Sequence, residues 1–294
     1  MPELLSPKQV ARAVGVSEAS LKRWCDKGLL EVRRTVGGHR RIPFSSVVQF
    51  IRKSGHPLVR PEVLGLPSSS GKGDVTLERA AEHLLASLCD GDEDRVVQLI
   101  FDLYLARFSA SEICDKVVAD AFHRIGERWQ HGTLVLFQER LAGQLASRAL
   151  HRLEISLPPP ASTAFAAFGA TLAGDPYGLP TQMVALVLRE HGWRASSFGV
   201  GIPASDLALA IQRGTPRLIW LSVSTIRAVD EFLNDIRTLY DVAGRAGAAL
   251  VLGGRALTAD VRPQIQYAAF CDTMAHLSSY VRSLQAAPAL GNRV

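Results

Sequence analysis

The spacing of apolar positions changes character three times along the chain. Residues 6–27 show two short three-and-four patterns parted by Gly15, with Val10, Ala11 and Val14 inside the first and Leu21 and Trp24 inside the second. Ser6 is placed to cap the first helix, with Pro7 at its opening position and Gln9 completing a capping box; Ser17 is placed to cap the second, which runs to about Lys27. Two short β-like runs then flank Gly37-Gly38, the form of a hairpin, ahead of another helix over the SSVVQFIRKSG stretch.

Residues 75–156 are helical throughout by the same spacing. Four stretches are broken near CDGDED, RFSAS and WQHGTL, which predicts a four-helix bundle. Beyond residue 161 short apolar runs alternate with helical ones: ASTAFAAFGATL, then a helix from TQMVALVLREHG, WRASSFGVGI, a helix, PRLIWLSVST, a helix, AALVLGG, and YAAFCDTM before a closing helix. Helix-length crossovers between short strands mean a doubly wound parallel sheet. The fold class expected is therefore mixed α and α/β. PEVLGLPSSSGKGD (61–74) has the composition of a flexible linker and LPPPA (157–161) that of a stiffer break, giving segments 1–60, 75–156 and 161–288. No repeat at solenoid periods interrupts this plan.

Composition narrows the class. A chain of 294 residues with 47% hydrophobic content builds two or three cores, and no 20-residue apolar span or signal-peptide pattern opens it. A cytoplasmic protein with no membrane partner is expected. The four cysteines, Cys25, Cys89, Cys114 and Cys271, lack CxxC spacing and read as buried free thiols.

Charge is unevenly divided. Residues 1–60 hold 12 Lys and Arg against 4 Asp and Glu, a net of +8, while the remainder holds 21 against 24. A basic module on a slightly acidic body points to a polyanion at one end. Two helices about a glycine turn are the helix-turn-helix pattern, whose second helix enters the major groove. Arg33, Arg34, His39, Arg40 and Arg41 crowd the hairpin beside it. A solvated hairpin is the plain alternative, but the cluster carries most of the local charge excess. The order helix-turn-helix, RRTVGGHRRI wing, helix resembles the winged DNA-binding domain of MerR-type regulators. The resemblance implies that Glu18, Ser20, Lys22 and Arg23 face bases and phosphates while the wing residues grip the backbone. Double-stranded operator DNA is the expected partner, bound by a homo-oligomer, dimer or tetramer, since one winged domain covers few base pairs.

The candidate ligand site lies in the third segment. A doubly wound sheet binds ligands beyond the carboxyl ends of its strands, and three loops gather there: GDPYGLP (174–180), SVST (222–225) and Gly253-Gly254. GDPYGLPTQMVALVLREHGWRASSFGVGIP resembles the cobalamin-binding module, whose loop reads Asp/Glu-x-His-x-x-Gly, followed later by Ser-x-Leu/Thr and Gly-Gly. With the bundle and the MerR-like head, the chain resembles the CarH/LitR light-sensing repressors. That family implies a flavodoxin-like sheet domain, a cofactor cleft between it and the bundle, and a bundle motif of Trp, nine residues, then Glu-His.

Here the matching bundle residues are Trp129, Glu139 and Arg140. Asp175, Ser222, Ser224, Gly253 and Gly254 keep the pattern, while others depart from it. Tyr177 stands where the family has the histidine below cobalt, Arg140 replaces the bundle histidine, and Gln130 sits where some members carry the histidine that captures cobalt after light. Pro180 replaces the loop glycine that lets the cofactor's nucleotide tail pass. A phenol must lose a proton of pKa about 10 before it binds a metal well, so Tyr177 reads as filling the vacated pocket rather than as an iron ligand. His123, His131 and His151 form no ligand set. We therefore expect no metal, no catalytic residues, no enzyme activity and no cofactor, with a repressor independent of His-ligated cobalamin. The competing readings are a cobalamin or other tetrapyrrole (haem, bilin, or cobalamin without a histidine ligand) in the cleft, and a corrinoid carrier or enzyme subunit.

Overall fold

The computed structural model describes residues 4–68 and 76–286 and divides into two compact units, 1–158 and 159–294. In the first unit β1 (Leu4–Leu5) precedes α1 (Pro7–Val14) and α2 (Glu18–Asp26). The capping box at Ser6 and Gln9 forms, and Ser17 caps α2 through the Ser20 N–H. Gly15 turns at φ 72°, and a Cβ there would come 2.7 Å from Val59 Cγ2, so the turn needs glycine for its angle and its room. β2 (Arg33–Arg34) and β3 (Arg40–Pro43) make the wing. Leu5 pairs with Ile42, so β1 adds a third strand that two residues were too short to announce. α3 (Phe44–Ser54) follows.

The expected linker at 61–74 is structured at its start. A 3-10 turn, Pro61–Leu64, buries Pro61, Leu64 and Leu66, and the N–H groups of Val59 and Arg60 donate to Ala13 O. The apolar members of PEVLGLP anchor it to α1. Residues 69–75, the Ser/Gly part, lie outside the described residues, as does the chain beyond 286.

The bundle comprises α4 (Leu77–Asp90), α5 (Glu93–Leu105), a continuous third helix, and α8 (Leu136–Ile155). The third helix is α6 (Ala110–Ile113), a π-helical turn at Cys114–Val118, and α7 (Ala119–Gln130). Among the cysteines only Cys114 is fully buried; Cys25, Cys89 and Cys271 are half-buried free thiols, a correction to the expectation that all four are buried.

A reciprocal clasp joins head and bundle. Arg52 of α3 donates to the carbonyl oxygens of Tyr104, Phe108 and Arg107 at the end of α5, its guanidinium 4.0 Å over the Tyr104 ring. Arg107, held at φ 74°, donates back to Arg52 O and Lys53 O at 2.9 and 3.0 Å. Each arginine thus satisfies the orphan carbonyls of the other's helix C-terminus, where the helix dipole favours a cation.

The second unit is a five-stranded parallel sheet of β4 (Ala166–Ala170), β5 (Arg194–Ser197), β6 (Leu218–Ser222), β7 (Ala249–Gly253) and β8 (Ala269–Phe270) in the order β5-β4-β6-β7-β8. Helices α9 (Gly178–Glu190), α10 (Ala204–Gly214), α11 (Val229–Arg245) and α12 (Met274–Ala286) alternate with the strands. Ile219, Leu221 and Val223 pack with residues of α10 and α11 on one face, leaving Leu218, Trp220 and Ser222 for the other. Strand order reverses between β4 and β6, where flavodoxin-like sheets open their crevice.

Candidate functional site

The head presents its cations outward. On α2, Glu18, Lys22 and Arg23 are exposed, and Ser20 bonds locally to Ser17 and Arg23. Across the wing Arg33 stands opposite Arg41 and Arg34 opposite Arg40. Like charges facing each other across a ladder destabilise it unless an anion intervenes. Two of the four reach carboxylates: Arg40 meets Asp26 of α2 at 2.8 Å, and Arg33 is 3.4 Å from Glu31. Arg40 therefore braces the wing on α2, whereas His39 and Arg34 stay exposed on the rim. The Arg40–Asp26 brace was not legible in the sequence, since it depends on how the wing folds back.

In the bundle, Trp129 and Gln130 close α7 and are exposed, Trp129 by 48%. Glu139 lies in the first turn of α8, its Oε2 3.4 Å from Arg140 Nε. Val135, Leu136 and Phe137 are exposed at the same corner. The histidines nearby serve local structure: His131 meets Glu127 O, and His123 and His151 pair with Glu127 and Glu154.

The sheet unit gathers Asp175, Tyr177, Ser222, Ser224, Gly253 and Gly254 at its carboxyl edge. Asp175 is buried, and its carboxylate is fully engaged: Oδ1 accepts the Tyr177 N–H at 3.1 Å, and Oδ2 accepts those of Ser224 and Thr225 at 2.6 and 3.2 Å. It ties the loop after β4 to the end of β6. Thr171 adds a second tie, donating to Asp175 O and accepting from the Gly201 N–H. Tyr177 is half-buried at the N-terminus of α9, with the Arg255 guanidinium 5.5 Å from its ring centre. Arg255 also donates to Ser224 O.

The two glycines serve the backbone. A Cβ on Gly253 would lie 2.6 Å from Cys271 O, and one on Gly254, at φ 129°, 2.2 Å from Val223 O. Burial, with Asp272 nearby, pushes the Cys271 thiol up to about 11, so it is unreactive at neutral pH. Among the described residues no group of three His, Cys, Asp or Glu is placed to hold a metal. One residue that the sequence presents only as part of a strand lies beneath this edge: Trp220 is buried, and its Nε1–H donates to Thr181 Oγ1 at 2.8 Å.

The class follows from these two constructions: a helix-turn-helix head followed by a helical bundle, and a flavodoxin-like parallel sheet. Residues 4–55 match a helix-turn-helix domain family and residues 80–154 a B12 binding domain family. The chain is CarH-like along most of its length. It is 28% identical to the HTH-type transcriptional repressor CarH of Myxococcus xanthus over 84% of this chain and 87% of that protein. It is 24% identical to the HTH-type transcriptional repressor CarA of the same organism over 76% of this chain and 78% of that one. The monomethylamine corrinoid protein of Methanosarcina barkeri shares the fold, with a TM-score of 0.58 at 15% identity over 71% of this chain and all of that one.

A cobalamin held through a histidine does not fit the residues present. The loop offers a phenol at Tyr177, the Asp175 carboxylate is committed to three backbone N–H groups, and Pro180 stands in the first turn of α9. No described helix is long and apolar enough to cross a membrane.

Proposed function

We propose that the protein is a sequence-specific DNA-binding transcriptional regulator, a repressor of the CarH type that works without a His-ligated cobalamin. The observation that carries the DNA-binding reading is the wing, where facing arginines stand beside the exposed Lys22 and Arg23 of α2. Phosphates are the anions that relieve such a ladder, and base edges are read by the helix beside it. Glu18, Ser20, Lys22 and Arg23 read or position on the groove; Arg33, Arg34, His39 and Arg41 contact backbone; Arg40 sets the angle between wing and helix. The protein acts in the cytoplasm as a dimer or tetramer, each copy adding one head to a two-fold operator. It is a regulator rather than an enzyme, a reading supported by the sheet edge, where the buried Asp175 carboxylate is spent on backbone N–H groups.

Independence from cobalamin rests on Tyr177, Arg140 and Gln130 at the three positions where the resembled family relies on histidine. Operator affinity and oligomeric state are therefore the same in darkness and in light, with or without adenosylcobalamin. Gel-shift titration and size-exclusion chromatography in all four conditions test this. A cobalamin-dependent tetramer that light dissolves would overturn it. Tyr177→His alone leaves the outcome unchanged, because Pro180 still obstructs the tail.

A further inference from the structure

We propose that Trp220 is the built-in occupant of the sheet unit's ligand crevice, its indole lying where a planar aromatic group of a ligand would enter between β4, β6 and α9. Four observations carry this. The crevice of a sheet in this order opens between the two strands at which the order reverses, here β4 and β6. Trp220 sits in β6, in register with Gly169 of β4, one residue from that strand's end. Gly169 makes the room: a Cβ there would lie 2.0 to 2.3 Å from three atoms of the indole. Thr181 in the first turn of α9 supplies the polar contact, accepting the indole N–H at 2.8 Å while meeting Ser197 Oγ at 3.1 Å.

The space is thus shaped for a flat bicyclic ring with one N–H donor, and the chain fills it. At 1% exposure the indole leaves no room for a second ring. A ligand bearing a benzimidazole-like group can enter only if Trp220 leaves, breaking the Thr181 bond and exposing the ring. The inference deepens the cobalamin-independent reading and rests on it for its functional meaning, but its evidence is separate: Tyr177 and Pro180 belong to the loop, whereas Trp220 belongs to the strand.

The test uses the full chain. Trp220→Ala opens a cavity lined by Gly169 and Thr181, and such cavities bind small aromatics of matching shape. Benzimidazole and indole at millimolar concentration should raise the Tm of the variant saturably and leave the wild type unmoved. Calorimetry should show binding at least about tenfold tighter than to the wild type. Indene, of the same shape without the N–H, should bind less well because Thr181 then loses its donor. Trp220→Leu, a smaller truncation, serves if the alanine variant fails to fold. In the wild type the Trp220 indole N–H resonance should exchange slowly and stay unshifted as benzimidazole or adenosylcobalamin is added; this holds whatever the variants do. Affinity for operator duplex should change by no more than about twofold, as the head lies in the other unit. A wild-type protein that binds benzimidazole as tightly as a folded variant, or whose Trp220 resonance shifts on titration, would overturn the proposal. A cobalamin effect on operator binding with that resonance unmoved would sink the cobalamin-independent reading and leave Trp220 in place.

Discussion

The wing and the carboxyl edge of the sheet both gather polar groups at strand ends, yet they are finished in opposite ways. On the wing, arginine faces arginine and the outer members point to solvent. At the sheet edge each conspicuous group has a partner within the chain: Asp175 holds three N–H groups, Trp220 holds Thr181, and Gly254 makes room for Val223 O. An arrangement strained by its own charge is completed from outside. One satisfied internally is complete already. The difference separates a region whose charges call for an outside partner from one whose polar groups are satisfied within the chain.

The largest effect should come from the closed region. Trp220→Ala should lower stability of the sheet unit by about 3–5 kcal/mol, the usual range for a buried tryptophan, measured by denaturant unfolding. A loss below about 1 kcal/mol would mean the ring is not tightly packed. Next, Arg34→Ala with Arg41→Ala should weaken duplex binding on the order of tenfold to a hundredfold and reduce the salt slope by about 2, one unit for each phosphate left without its arginine. An unchanged slope would remove the wing from the interface and erase the contrast. Asp175→Ala strands the N–H groups of Tyr177, Ser224 and Thr225 and should cost about 1–3 kcal/mol in the same unfolding assay, without altering duplex affinity. The smallest change is expected at Trp129, whose half-exposed ring should shift stability by less than about 0.5 kcal/mol on replacement by alanine. A larger loss would show that the exposed corner of α7 and α8 is covered in solution.

Most of the architecture is readable from the sequence because helical spacing and strand–helix alternation are local signals. Ser6, Gly15 and Ser17 state the ends of α1 and α2 in their own chemistry, and Gly91 and Gly132 mark bundle breaks in the same way. What stayed hidden depends on contacts distant in the chain. β1 is two residues that gain identity only from pairing with β3. Val59 and Arg60, just ahead of the expected linker, are fixed by Ala13, almost fifty positions earlier. Trp220 reads as one more apolar residue of a buried strand; only its register against Gly169 and its bond to Thr181 set it apart. The loop departures at Tyr177 and Pro180 were legible because a motif's absence shows at a fixed offset. The packing of Trp220 against Gly169 of a different strand was not.

The clasp between Arg52 and Arg107 has a kinetic meaning. Its donors and acceptors lie 52 to 56 residues apart in the chain, and it needs the C-terminal carbonyls of both α3 and α5 already presented. Closing so long a loop early is entropically unfavourable, so the clasp forms after both partners have taken shape. Interactions made that late oppose unfolding far more than they assist folding. Replacing either arginine should therefore speed unfolding while leaving the refolding limb of the chevron almost unmoved, so the clasp acts as a brake on losing the head rather than a guide to building it.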